Sequence, residues 1–149
     1  MRLREGNLLK EDINGRLIRI LEIIAVVESK TPEVAENHRA KLKKRMEEAL
    51  AGVALDETRF LNEVAHFCDK SDISEEITRL KSHIAQFQAV LTPQADKDPI
   101  GRKLDFITQE MSREANTMGS KANFADITKV VIELKSEIEK IREQVQNIE

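Results

Sequence analysis

An unbroken alternation of four- and three-residue apolar spacings near the end of the chain constrains its fold more than any other feature. The stripe consists of Ile127, Val131, Leu134, Ile138, Ile141, Val145 and Ile148. Because an α-helix has about 3.6 residues per turn, this spacing places all of them on one side of a helix. Three heptads of this kind are typical of a coiled-coil-like packing helix. The sequence therefore predicts a long C-terminal helix over about residues 124–148.

Similar stripes predict further helices upstream. They comprise Ile13, Leu17, Ile20, Ile24 and Val27, and then Ile73, Ile77, Leu80, Ile84, Phe87 and Leu91. Thr31-Pro32 predicts that the first helix ends near residue 29 and that a second runs from there to Leu50, because the residue before proline disfavours the α conformation. A loop is expected over residues 92–100. The predicted fold is all-α, with about six helices in antiparallel hairpins.

The composition is typical of long helices and argues against some classes of function. Of the 149 residues, 34% are charged and only 3% are aromatic, which suits helices better than a β-sandwich. A net charge of −3 argues against an overall electrostatic footprint for nucleic acid, although local basic patches remain possible. The single cysteine, Cys68, excludes an internal disulfide and is expected to be buried and unreactive. With neither a membrane span nor a signal-peptide pattern, we expect a cytoplasmic protein.

The helix predicted over residues 101–122 carries a second, polar stripe. Its members are Arg102, Asp105, Gln109, Arg113 and Asn116, which share one face because they lie three or four residues apart. Glu110 and Glu114 lie beside the stripe as a carboxylate pair, an arrangement that can hold Mg²⁺ or Mn²⁺ but is also common on helix surfaces. Lys121 follows a predicted glycine break at Gly119 and could contact phosphate.

A second candidate cluster lies on the preceding predicted helix. Glu76, Arg79 and His83 share one helix face. They would suit a general acid or base beside a phosphate clamp, or equally a row of surface salt bridges. A basic segment, HRAKLKKR (residues 38–45), distributes positive charges around an earlier predicted helix. A solvated helix surface is the favoured interpretation of this segment, with nucleic-acid contact as the alternative.

Three segments together carry a resemblance to a known family. DISEEITRLKSHIAQF, GRKLDFITQEMSREANTMGSKA and VIELKSEIEKIREQVQNIE resemble the C-terminal domain of the YicC/YloC family of bacterial stress-induced proteins. The resemblance covers about residues 72–149, and residues 1–70 are similar to the helical region that precedes this domain. It therefore implies two parts, a hairpin region (1–70) and a C-terminal helical domain (72–149), without the family's further N-terminal domain.

The resemblance also implies a function. The family is described as metal-dependent endoribonucleases that form ring-like homo-oligomers, so RNA and further copies of the chain are the expected partners. The cofactor would be Mn²⁺ or Mg²⁺, with no small-molecule cofactor and no membrane partner expected. The implied residues are His83, Asp105 and Glu110 for catalysis, Glu76 and Glu114 for metal, and Arg79, Arg102, Lys103, Gln109, Arg113, Asn116 and Lys121 for RNA. The alternative is a helical adaptor that assembles with partners and has no catalysis of its own.

Overall fold

The computed structural model describes residues 2–50, 52–54, 56–92, 99–122 and 125–148. Within these ranges every regular element is a helix and no strand occurs, which confirms the all-α prediction. The helices are α1 (Arg2–Leu50), α2 (Glu57–Ser71), α3 (Ser74–Leu91), α4 (Ile100–Lys121) and α5 (Ala125–Val145). Residues 93–98 of the predicted loop and the predicted start of the last helix at residue 124 lie outside the described residues.

Four helices close into an antiparallel bundle. α3 packs on α4, α4 on α5, α5 on the N-terminal half of α1, and α1 on α3. The predicted apolar stripes supply one continuous core, in which residues from Ile13 to Val27 meet those from Ile73 to Leu91 and from Ile127 to Val145. These four helices pack together because each amphipathic helix covers its apolar side only when all four meet. Ile148 is partly buried beyond the end of α5.

The expected break at Thr31-Pro32 is wrong, since α1 continues through Pro32 as one helix of 49 residues. At about 1.5 Å per residue it is about 73 Å long. Proline removes a backbone N–H and crowds the carbonyl four residues earlier, but Pro32 is exposed, so its ring lies on the solvent side. The Thr31 hydroxyl donates a hydrogen bond to the carbonyl of Val27 at 2.8 Å, inside the helix. Bundle packing before residue 31 and contact with α2 after it outweigh the local preference.

Residues 31–50 of α1 and all of α2 form a hairpin, referred to below as the arm. Gly52, with φ +91°, lies in the turn after α1, and Asp56 caps α2 by accepting hydrogen bonds from the N–H groups of Thr58 and Arg59. Phe60 is the one fully buried side chain among the described residues of the arm. Leu61 is 54% exposed, because α2 packs mainly against α1 alone.

Two further expectations are wrong. Cys68 is a free, exposed thiol rather than a buried one, since no helix in the described ranges covers the outer face of α2. Gly119 does not break α4, which continues to Lys121. The glycine instead allows close approach to α5: a Cβ at this position would lie 3.3 Å from a methyl carbon of Val131.

Candidate nucleic-acid interface

The interface between α3 and α4 brings together six of the predicted site residues, and it is called the charged seam below. Glu76, Arg79 and His83 line it from α3, and Glu110, Glu114 and Lys121 line it from α4. The two helices are antiparallel, so the start of α3 faces the end of α4. Apolar residues of the core lie beneath the seam. The structure therefore joins two clusters that the sequence showed only separately.

One end of the charged seam holds a buried ion pair. The Lys121 ammonium donates a hydrogen bond to Oε1 of Glu76 at 2.5 Å, and the Glu76 side chain is only 3% exposed. The same ammonium lies 3.4 Å from the carbonyl oxygen of Asp72. The hydrogen bond to Glu76 raises the pKa of Lys121, aided by the charges of Glu76, Glu75 and Asp72. Oε2 of Glu76 is buried without a hydrogen-bond partner among the described residues.

The middle of the seam is more open. Arg79 pairs with Glu75 on its own helix, and a second nitrogen of its guanidinium lies 4.0 Å from Oε1 of the nearly buried Glu114. Glu110 pairs with Arg113 at 3.3 Å, and the Arg113 side chain is 76% exposed. Arginine forks that remain open to solvent can accept a phosphate as well as a carboxylate. This part of the seam could therefore contact a polyanion without leaving its carboxylates unpaired.

His83 lies one helical turn beyond Arg79 and is half-buried. Its Nδ1 atom is buried with no hydrogen-bond partner in the part of the chain that the structure describes. Glu110 lies one turn before Glu114, so the antiparallel register places it at the level of His83. An imidazole and a carboxylate at one level of a groove are a suitable pair for moving protons.

Apart from Arg113, which pairs with Glu110, the polar stripe on α4 lies outside the charged seam. Arg102, Gln109, Arg113 and Asn116 are exposed, as expected. Asp105 accepts a hydrogen bond from the amide of Gln109 at 3.1 Å and lies 4.0 Å from Nε of Arg142 on α5. Five residues separate Asp105 from Glu110, which is about 140° around a helix. The antiparallel register therefore places His83 and Glu110 at one level of the charged seam, whereas Asp105 lies on the side of α4 that faces Arg142.

Two residues of this region were not predicted from the sequence. Arg142 joins α5 to the stripe through Asp105, a contact between two helices that spacing along one helix cannot show. Phe106 is an exposed aromatic side chain between Arg102 and Lys103 on the surface of α4. An aromatic residue outside the apolar stripe of an otherwise amphipathic helix was the available signal.

The residues expected to hold metal do not form a complete metal site. Mg²⁺ and Mn²⁺ prefer several oxygen ligands around one point. The Glu76 carboxylate forms an ion pair with Lys121, and the Glu114 carboxylate lies 4.0 Å from the guanidinium of Arg79. Among the described residues, no group of three or more His, Cys, Asp or Glu side chains could hold a metal ion. The described residues therefore supply at most part of a cation site.

Fold and site together define an all-α bundle module with a charged inter-helix seam and exposed cations along one helix. No helix in the described ranges is both long and apolar enough to cross a membrane. The family model described as "Endoribonuclease YicC-like, C-terminal" matches residues 27–149. The chain belongs to this family, which confirms the resemblance seen in the sequence.

Curated relatives extend the similarity over the whole chain. It is 48% identical over 150 residues to a protein of Clostridioides difficile (strain 630) named probable endoribonuclease YicC, covering 100% of this chain and 50% of the relative. It is 40% identical over 149 residues to a protein of the same name from Haemophilus influenzae (strain ATCC 51907 / DSM 11121 / KW20 / Rd), with the same coverage. The chain thus spans about half the length of the curated relatives that it matches.

Proposed function

We propose that this chain is the RNA-contacting half of a divalent-metal-dependent endoribonuclease and that residues beyond the chain complete the active site. The observation that carries this proposal is the match, along the whole of this chain, to relatives named probable endoribonuclease YicC. The exposed cations of α4 support it physically, because RNA binding depends first on neutralising phosphates. We expect the complete protein to act as a homo-oligomer in the cytoplasm.

The exposure of each charged or polar side chain, and the ion pair that it forms, suggest its role in RNA binding. Arg102, Lys103 and Arg113 would contact phosphates, since all three are exposed on α4, and Arg79 can join them from the charged seam. Gln109 and Asn116 would contact sugar or base edges. Lys121 would mainly neutralise Glu76, to which it donates a short hydrogen bond.

His83 and Glu110 are the proposed catalytic pair. Cleavage of a phosphodiester needs one group that takes a proton from the attacking oxygen and another that supplies a proton to the leaving oxygen. An imidazole can accept a proton at one ring nitrogen and donate one from the other, and Glu110 lies at the level of His83 in the groove. Asp105 would act instead as an acceptor that orients Gln109 and Arg142. Glu76 and Glu114 could contribute oxygen ligands to Mn²⁺ or Mg²⁺ only if further ligands came from outside the described residues.

A salt series of RNA titrations tests the binding part of the proposal. Labelled single-stranded RNA is titrated with the chain, and fluorescence anisotropy is followed from low to moderate salt. Affinity should fall by roughly 0.7 log units per log unit of salt for each phosphate contact, and Arg113→Ala should remove about one such contact. Arg19→Ala is the matched control, because Arg19 is an exposed arginine on α1 that pairs with Glu22 and Glu133. Equal losses in both variants would argue against a site on α4.

Cleavage is tested on the complete protein, of which this chain forms one part. His83→Ala and Glu110→Gln should each reduce cleavage at least tenfold while RNA affinity stays within about twofold of wild type, since general acid–base groups contribute about 10²–10⁴-fold. Full activity in the presence of a chelator would remove the metal from the model. Unchanged cleavage in His83→Ala would remove this histidine from the mechanism.

The second candidate function is a helical assembly or adaptor module. Large apolar side chains that remain exposed on the bundle favour it, among them Ile18, Phe106 and Ile132. Such residues are commonly covered by a partner when they lie close together. Sizing at several concentrations distinguishes the two functions. Tight self-association without detectable RNA binding at low salt would support the adaptor.

A further inference from the structure

An open groove on the outer surface of α3 and α4 contains an aromatic side chain that the described residues leave largely exposed. The groove has a volume of about 580 Å³ and is lined by Gln86, Ala89, Val90, Arg102, Lys103, Phe106 and Ile107. Phe106 is 64% exposed although α4 buries a regular apolar stripe elsewhere. Packing in the apolar core therefore does not explain why a large aromatic side chain occupies position 106.

The charges around Phe106 indicate what could cover it. Arg102 and Lys103 precede it by four and three residues, so both side chains lie next to its ring on the helix surface. Neither forms an ion pair with any described residue. An aromatic ring flanked by two unpaired cations complements a nucleotide, whose base is flat and whose phosphate is negative.

We propose that Phe106 stacks against one unpaired base of the RNA, with the adjoining phosphate held by Arg102 and Lys103. This inference rests on the proposed function and adds a substrate class, namely RNA that is single-stranded at the site. A base within a duplex is stacked on its neighbours and hides its face, whereas an unpaired base can be turned outward onto an aromatic side chain. Stacking of this kind tolerates any base sequence.

The groove adjoins the proposed catalytic pair. Phe106 lies one helical turn before Glu110, about 6 Å along the helix axis, and Gln86 lies three residues after His83 on α3. A nucleotide stacked on Phe106 would thus direct the next stretch of backbone toward His83 and Glu110. Phe106 is therefore a positioning residue that acts by fixing the strand, and it takes no part in proton transfer.

The composition of the chain allows a direct test, because it contains no tryptophan or tyrosine. Phe106→Trp introduces a single fluorescent reporter into the groove. Ile132→Trp is the matched control, since Ile132 is 62% exposed on the outer surface of α5. The probes are a mixed-sequence single-stranded RNA of twelve nucleotides, the same sequence as a perfect duplex, and inorganic polyphosphate.

We expect the single-stranded RNA to quench the fluorescence of Phe106→Trp, with much weaker quenching by duplex and polyphosphate and none in Ile132→Trp. Phe106→Ala should lower the affinity for the single strand by about 5- to 150-fold, the loss that alanine substitution at stacking residues usually produces. Its thermal melt should match that of wild type, since the side chain is largely exposed. Equal quenching by polyphosphate or duplex would overturn the inference, because it would show backbone contact alone.

Two other outcomes separate this inference from the function on which it rests. If wild-type chain binds labelled RNA but Phe106→Trp shows no quenching, only the stacking site is overturned. If wild-type chain binds no RNA at low salt, both are overturned. A blue shift of Phe106→Trp emission that grows with protein concentration in the absence of RNA would show that a second copy of the chain covers the groove, and would also overturn the stacking site.

Discussion

The bundle and the arm use charge in opposite ways. In the bundle, an ion pair bridges each of the four helix interfaces: Glu28–Lys81, Glu76–Lys121, Asp105–Arg142 and Arg16–Glu137. In the arm, no ion pair with a described residue involves the five cations of its basic segment, Arg39, Lys41, Lys43, Lys44 and Arg45. Charges therefore help set helix register in the bundle, whereas those of the arm remain available to solvent or to a polyanion.

The bundle and the arm also differ in how many apolar side chains they bury. The bundle contains the continuous apolar core, and the arm contributes only Phe60 as a fully buried side chain among its described residues. Regions with few buried apolar contacts open at lower free energy than a core does. We therefore expect the bundle to set the global stability of the chain and the arm to open locally.

The largest predicted effect concerns the bundle core. Leu134→Ala should lower the free energy of unfolding by about 2–5 kcal/mol, because Leu134 is fully buried in α5. Leu61→Ala in the arm is the matched control and should change stability by no more than about 0.5 kcal/mol, since Leu61 is largely exposed. Chemical unfolding followed by circular dichroism measures both. Equal losses would show that the arm is as cooperative as the bundle.

An intermediate effect is predicted for the buried ion pair. Lys121→Met should cost about 2–3 kcal/mol at neutral pH, because it leaves the Glu76 carboxylate buried without its cation. Adding Glu76→Gln to Lys121→Met should recover part of the stability. A double variant less stable than Lys121→Met would contradict the pairing.

The same pair predicts that wild type loses stability at alkaline pH. The folded-state pKa of Lys121 is raised above its ordinary value of 10.5 by the hydrogen bond to Glu76. Its contribution to stability is therefore complete below that value and is lost as pH rises through the folded-state pKa. Unfolding experiments between pH 9 and 11.5 should show a smaller decline in Lys121→Met than in wild type.

The smallest predicted effect belongs to the arm and depends on mildly acidic pH. Burial lowers the pKa of His38 below 6.5, and the charges of Arg45 and Lys41 lower it further. The ring stacks on Phe67 of α2 with centroids 3.3 Å apart. Since the unfolded arm binds the proton more tightly, the arm should be most stable above pH 6.5 and should lose stability as pH falls through the folded-state pKa.

Hydrogen exchange at pH 7.5 and 5.5, corrected for intrinsic exchange rates, measures this effect. Amides of α2 should lose up to about tenfold in protection at the lower pH, while those of α5 serve as the internal control. His38→Gln should remove the difference between the two pH values. A uniform loss across the bundle and the arm would assign the effect to other groups.

Sequence patterns predicted the helices and the core well because apolar spacing depends only on helix geometry. The stripes from Ile13, Ile73 and Ile127 all became core, and the Asp56 cap and the turn at Gly52 follow local chemistry. Pro32 was misread because packing on both sides of it outweighs its local preference. The exposure of Cys68 depends on which helices cover α2, which spacing along one helix cannot show.

The candidate site was less predictable from the sequence. Glu76, Arg79 and His83 were correctly placed on one face, but their partners on α4 depend on the antiparallel register. The family resemblance implied a catalytic role for Asp105, whereas the rotation of α4 directs it toward Arg142. Roles for these residues stay predictions until cleavage is measured.

Because α1 continues through Pro32, a small bend in the middle of this helix would move its C-terminal end by a larger distance. Its N-terminal half is fixed in the bundle, and the remaining length, about 28 Å from residue 32 to 50, carries the basic segment. A bend of about 10° at Pro32, where one backbone hydrogen bond is missing, would move the far end of the helix by about 5 Å. Small changes where the helix leaves the bundle would therefore be magnified at the tip, so the position of five positive charges is coupled mechanically to the packing around residues 27–31.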